Sequence, residues 1–321
     1  MRLCSLTPTG GADRLGWRAD VMWQNNEAWS MLTIPYLELP ITHVCNLHCD
    51  GCCYYANYNI KTMASADEIR ATASAWSRRI KPNMIKILGG EPLANRELPQ
   101  IFLTLRQMFP DSHLQVITNG LQLEKCPMLP YLLTAPNTSL SLSIHSSEAA
   151  YLGQIQKSMD VINGWIANFG IKAIMSDNRT GWVRHYKGLG KFMRPHTDGD
   201  FTASWARCPA RVCLVLLEGR LWKCPQTAAL HLAAAKFSLG EREEWAPYLA
   251  YKGLPVTSSD DELAEFLNQG PETVCGMCPA NGESYEKDIH NVDFNIADAV
   301  RVERDGTIIR HPLPQEVLAA E

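Results

Sequence analysis

No stretch of about 18 apolar residues occurs in the 321-residue chain, so no transmembrane helix is expected. Charge of one sign is also missing. Lys and Arg number 30 against 34 Asp and Glu, the net charge is −4, and the basic residues are scattered. No nucleic-acid or membrane partner is therefore expected. The opening residues Met1-Arg2-Leu3-Cys4-Ser5 have no long apolar core, so the chain reads as lacking a secretory signal and as cytoplasmic. What is present is 46% hydrophobic and 20% charged, ordinary for a globular protein with one large domain and a smaller one.

Cysteine is the exception, with 11 residues. An odd number in a reducing compartment does not read as a disulfide framework. The cysteines cluster. Cys45, Cys49 and Cys52 form C-x3-C-x2-C directly after an apolar run. Three thiolates can hold three irons of a 4Fe–4S cluster and leave the fourth iron open to chemistry. Zinc is the alternative, with His43 or His48 as fourth ligand. Cys53 would point away from Cys52 in an extended loop and reads as packing. A second group is Cys208, Cys213, Cys224, Cys275 and Cys278, while Cys4 and Cys126 stand alone.

Residues 1–35 show no period and read as an N-terminal cover. From there strand-like and helix-like segments alternate. Strands are expected at 36–44, 84–88, 114–118, 139–144 and 171–176, with a sixth at 201–204. Helices are expected at 65–79, opened by the capping-box pair Ser65 and Glu68, and at 98–109 and 149–168. Repeated βα units imply an α/β fold with a parallel sheet, too few for an eight-fold barrel and suited to a partial (β/α)6 barrel over 36–204. Residues 205–321 read as a small cysteine-rich α+β extension, with hairpins turning at Glu218-Gly219 and Asp305-Gly306. The motifs fall where expected strands end, which is where parallel α/β folds place their sites.

Gly89-Gly90-Glu91-Pro92 follows the second expected strand and Asn119-Gly120 the third. Bare glycines let backbone approach a ligand, and a Glu can accept from an amine; each alone is also ordinary turn chemistry. Taken with Cys45, Cys49 and Cys52, with Thr118-Asn119-Gly120 and with Ser141-Leu142-Ser143, these residues resemble the radical S-adenosylmethionine (radical SAM) superfamily. The resemblance implies that the three cysteines hold a 4Fe–4S cluster whose open iron is chelated by SAM. It implies cofactor contacts at Gly89, Gly90, Glu91, Pro92 and Asn119, and at Ser141 or Ser143. One-electron cleavage of SAM would give a 5′-deoxyadenosyl radical that abstracts a substrate hydrogen, fed by a flavodoxin or ferredoxin-type donor. The chain departs from the family at Gly51, where an aromatic residue is common. It also has no Arg between Arg106 and Arg179, where the family places a SAM-carboxylate contact. His145, Lys157 and Arg179 are the candidate substitutes.

The C-terminal cysteines are similar to the start of the SPASM extension, or its shortened twitch form. The resemblance implies a second, auxiliary 4Fe–4S cluster on Cys208, Cys224, Cys275 and Cys278. Cys213 competes for one position, and a structural zinc is the alternative occupant. A fully ligated cluster suits electron transfer. The expectation is therefore an enzyme that oxidises a small polar molecule such as a sugar or cyclitol; modification of a peptide side chain is the alternative, and a non-enzymatic metal-binding scaffold is a further one. No terminal glycine pair follows Leu318-Ala319-Ala320-Glu321, which sets the expectation away from the GTP cyclase branch. Asp177, Asn178 and Arg179, after the fifth expected strand, are candidate substrate residues, with Trp182, Arg184, His185, Tyr186, Trp205 and Arg207 as further candidates.

Overall fold

The computed structural model describes residues 31–282 apart from 181, 209 and 269, and also 284–285, 289, 300–302 and 308–310. Most of the expected N-terminal cover, residues 1–30, lies outside the described residues, and so does Cys4. Seven strands come first in the chain: β1 (Leu32–Pro40), β2 (Ile80–Leu88), β3 (His113–Thr118), β4 (Thr138–Ile144), β5 (Ala173–Asp177), β6 (Trp182–Val183) and β7 (Leu214–Leu217). With β8 (Arg220–Trp222) and β9 (Leu254–Pro255), and without β6, they build an eight-stranded sheet, β5-β4-β3-β2-β1-β7-β8-β9. Every pairing from β5 to β7 is parallel, which gives six parallel strands and the expected α/β partial barrel.

The sixth parallel strand is not the expected one. Residues 201–204 belong to a helix, Phe201–Arg207, because the Asp200 carboxylate accepts the Ala203 N–H at 2.9 Å and caps it. The strand beside β1 is β7, from the segment expected to belong to the extension. A single sheet therefore runs through residue 205, and the division at 204/205 does not separate two sheets. The β7–β8 hairpin turns where expected, with Glu218 at φ 52° and Gly219 at φ 74°, the two left-handed positions of a type I′ turn. Val300–Val302 and Ile308–Arg310 pair antiparallel, as expected around Asp305-Gly306.

Helix α1 (Ala66–Trp76) opens with the Ser65–Glu68 capping box. It joins α2 (Leu98–Met108) on one face of the sheet, where Ile69, Trp76, Ile101, Phe102 and Leu105 share a core with Leu37, Leu39, Ile85, Ile87, Leu114 and Val116. Strand alternation then sends Tyr36, Glu38, Lys86, Gln115, Ser139, Ser141 and Ser143 to the other face, the barrel interior. That interior is polar and bonded. Tyr54 donates to Glu38 at 2.7 Å, Lys86 Nζ lies 3.9 Å from Glu38, and the Ser139 hydroxyl lies 2.8 Å from His113 Nε2. A second core of Tyr55, Tyr58, Tyr186, Val215, Trp222, Trp245 and Met277 packs beneath the C-terminal helices.

Candidate functional site

The loop after β1 carries Cys45, Cys49 and Cys52, and its path is set by the ends of β2 and β3. Gly90 N–H donates to Thr42 O at 2.7 Å and Glu91 N–H to Val44 O at 2.8 Å. The contact is close enough to exclude side chains. A Cβ on Gly89, at φ 146°, would sit 2.2 Å from Thr42 O, and one on Gly90 would sit 2.3 Å from Val44 O and 3.1 Å from the Cys45 Cβ. Both glycines are thus needed for the cysteine loop to lie against β2.

Glu91, expected as an acceptor for a ligand amine, turns inward instead. It is 0% exposed. Its oxygens accept from Leu93 N–H at 3.0 Å, the Thr118 hydroxyl at 2.7 Å and Asn119 N–H at 2.8 Å. It therefore ties the β2 end to the β3 end. Burial pushes its pKa up to about 7 against these three donors. Asn119 reaches the loop directly, donating to Asn46 at 2.8 Å with its Nδ2 3.9 Å from the Cys45 sulfur.

These elements enclose a cavity of about 410 Å³. Cys45, Cys49, Cys52, Gly89, Gly90, Asn119 and Ser143 all line it. Pro92, a buried residue at the first position of a short helical turn, and Ser141, two residues before Ser143 on β4, do not. Of the three expected substrate residues, Asn178 lines it, whereas Asp177, which ends β5, and Arg179 pair with each other at 2.8 Å and are not among its walls. Trp182 and His185 line it, and Arg184 anchors to Asp50 of the cysteine loop at 2.5 Å. His145 lines it too, but Lys157 lies in a separate surface groove lined by α3 (Leu129–Leu132) and α4 (Ala149–Phe169). Neither histidine considered for zinc faces it: His43 Nδ1 lies 2.8 Å from the Thr62 hydroxyl, and His48 Nδ1 lies 3.1 Å from Asn57 O.

Among the lining residues that the sequence reading did not place at this site, Cys53, Cys213, Glu38 and Gln226 bear on its chemistry. Cys53 lines the wall because the loop is not extended; Cys52 N–H returns to Cys49 O and Tyr55 N–H to Cys52 O, which cancels simple alternation. Cys213, just before β7, lines this cavity and not the second one, with its sulfur 3.9 Å from the Tyr36 hydroxyl. Glu38 is the sole carboxylate among the described lining residues; its signal was a charge inside the apolar run of β1. Gln226 had no sequence signal.

Cys208, Cys224, Cys275 and Cys278 come together around a second, smaller cavity of about 50 Å³. The C-x2-C pair sits on a tight turn, Thr273–Met277, in which Cys278 N–H donates to Cys275 O at 3.1 Å. Cys224 caps helix α6 (Pro225–Phe237), the next helix after α5 (Phe201–Arg207). Trp205, on α5, lines this cavity. Burial, then the charge of Cys224, pushes the Cys208 thiol up to about 12; burial and the neighbouring thiols drive Cys278 well above its usual value, and burial and Glu91 do the same for Cys45. Such thiols stay protonated until a metal's positive charge offsets the cost of ionising them. In both sets the thiols are spread around a cavity, and among the described residues no three His, Cys, Asp or Glu converge closely enough for one metal ion.

Among known proteins, residues 39–164 match the family described as the Radical SAM superfamily. A GTP 3′,8-cyclase from Yersinia pestis is 37% identical over 90 residues, 27% of each chain. One from Pectobacterium atrosepticum is 33% identical over 142 residues, 42% of each chain. The match thus spans well under half the length of these curated relatives. Among solved structures, BtrN in complex with AdoMet and 2-DOIA is similar at a TM-score of 0.40 and 14% identity, over 76% of this chain and 92% of that one. No helix among the described residues is long and apolar enough to cross a membrane.

Proposed function

We propose that the chain, whose residues 39–164 match the Radical SAM superfamily, acts as a radical SAM oxidase of a small polar molecule. In this reading Cys45, Cys49 and Cys52 hold a 4Fe–4S cluster, and Gly89, Gly90, Asn119 and Ser143 form the wall against which SAM lies. When bound, the cluster and SAM supply one-electron cleavage to a 5′-deoxyadenosyl radical that takes a substrate hydrogen. The protein's share is placement. Glu91 locks the strand ends, the bare glycines admit the cysteine loop, and Asn178, Trp182 and His185 close the side opposite. His185, 5% exposed and held neutral by burial with a pKa of about 4, faces the cavity as an uncharged polar group.

The observation that carries the oxidative reading is the second thiol set, Cys208, Cys224, Cys275 and Cys278, gathered around its own cavity with a wall in common with the first. Oxidation by two electrons removes one hydrogen atom, then one proton and one electron. Glu38 is the proposed proton acceptor, because it is the carboxylate on the first cavity's wall. An auxiliary cluster on the second set is the proposed electron acceptor. A cavity of about 410 Å³ that takes both SAM and substrate favours a small molecule over a peptide, which would enter by one side chain.

The proposed division of labour is a radical SAM barrel that continues into an auxiliary-cluster extension. Anaerobic reconstitution followed by dithionite reduction with SAM should release 5′-deoxyadenosine, and Cys45→Ala should not. Intact clusters without any 5′-deoxyadenosine from the wild type would refute the radical reading. A count of about eight irons per chain supports two clusters, whereas about four irons and one zinc would replace the second with a structural site.

A further inference from the structure

Gln226 is the second residue of α6, two positions after Cys224. It is 1% exposed. It lines the large cavity with Cys45, Cys49 and Cys52, and also the small cavity with Cys208, Cys224, Cys275 and Cys278. It is thus part of the wall between the two thiol sets. Its Nε2 is buried and has no hydrogen-bond partner in the protein.

An unpaired buried amide N–H costs about 1–3 kcal/mol, and Leu or Met would fill the same volume without that cost. The neighbouring Thr227 hydroxyl donates to Cys224 O at 3.1 Å. The Thr227 hydroxyl lies 3.4 Å from the Cys224 sulfur. Lys223, on the wall of the same cavity, is paired with Glu272 at 3.5 Å. The helix also presents its electropositive N-terminus at Cys224, so the small cavity is arranged for an anionic sulfur-rich group.

We propose that Gln226 Nε2 donates a hydrogen bond to the iron–sulfur group held by Cys208, Cys224, Cys275 and Cys278, and so raises its reduction potential on the side that faces the substrate. The proposal rests on the reading of that site as a second cluster. A donor to a cluster sulfur stabilises the more negative, reduced state more than the oxidised one. An electron acceptor for a substrate-derived radical needs that bias. Gln226 is therefore a positioning and tuning residue that acts through the cluster.

The test uses the full chain with Cys45→Ala, Cys49→Ala and Cys52→Ala, so that only the second cluster assembles. After anaerobic reconstitution, iron and zinc are counted, and the cluster is titrated potentiometrically by electron paramagnetic resonance. Gln226→Leu should lower the potential, so that at a fixed applied potential the reduced-to-oxidised ratio falls roughly tenfold, the size of one charge-assisted hydrogen bond. Gln226→Glu, which replaces the donor with an acceptor, should shift it in the same direction. An unchanged potential in both variants would overturn the proposal and assign the donor to the larger cavity. Zinc in place of iron in the parent chain would instead remove the second cluster itself, and the proposal with it. Should Gln226→Leu fail to assemble, Gln226→Met repeats the donor deletion with a flexible side chain, and an unchanged potential there counts against the proposal equally.

Discussion

The carboxyl of Glu91 should leave a signature in the pH dependence of stability that one substitution removes. It is fully buried, and its pKa in the folded protein is about 7 against an ordinary 4.5. The folded state therefore binds this proton more tightly than the unfolded chain does. Stability must fall as pH rises from about 4.5 to about 7, and the loss is complete above that window. At ~1.4 kcal/mol per pH unit, the gap corresponds to about 3 kcal/mol. Glu91→Gln keeps the shape but titrates nowhere in this range. Its amide oxygen can serve only one end of the network, so an NH2 group faces one of the donors Leu93 N–H, Thr118 hydroxyl or Asn119 N–H. That mismatch costs about 1–3 kcal/mol at every pH. The variant should be the weaker protein at pH 5 and close to the wild type at pH 8. Urea unfolding of both metal-free proteins between pH 5 and 8 measures the difference, and all other titrating groups cancel in it. A difference that stays constant across the range would refute the assignment of a raised pKa to Glu91.

Other substitutions test the geometry around it. Gly90→Ala should lose the iron of the first cluster on reconstitution, because its Cβ meets the Val44 carbonyl at 2.3 Å and backbone cannot yield; iron content and the visible absorption report this. Asn95→Ala should destabilise the protein by about 3 kcal/mol in urea unfolding, since it strips donors from the carbonyls of Ile41 and Ala64 at 2.9 and 2.8 Å and an acceptor from Glu97 N–H. Cys224→Ser should lower bound iron by about four atoms per chain while Cys213→Ser should not, because Cys213 lines the other cavity.

What was legible in the chain was whatever has a local cause. The Ser65–Glu68 pair marked the start of α1, and the Glu218-Gly219 turn marked a hairpin, because both act within four residues. The cysteine spacings likewise picked out two sets that the fold gathers around separate cavities. Contacts made at long range left no such trace. Strand β7 pairs with β1 across more than 170 residues of chain, so its place in the sheet could not be read from its own pattern. β2 begins four residues earlier than expected; its Pro82 is tolerated where β2 has β1 beside it and pairing with β3 has yet to start at Met84.

The same logic separates the readable from the unreadable parts of the site. Ligand thiols recur at fixed spacings because one group must reach them all. The residues proposed to act after hydrogen abstraction obey no spacing. Glu38 comes from the first strand, Cys213 from the approach to the seventh and Gln226 from a helix start, and they meet only because β7 closes beside β1 and carries α6 with it. A buried charge and a buried unpaired amide are costly wherever they fall. Their placement on the walls around two thiol sets is therefore the strongest pointer to a step beyond the proposed radical generation.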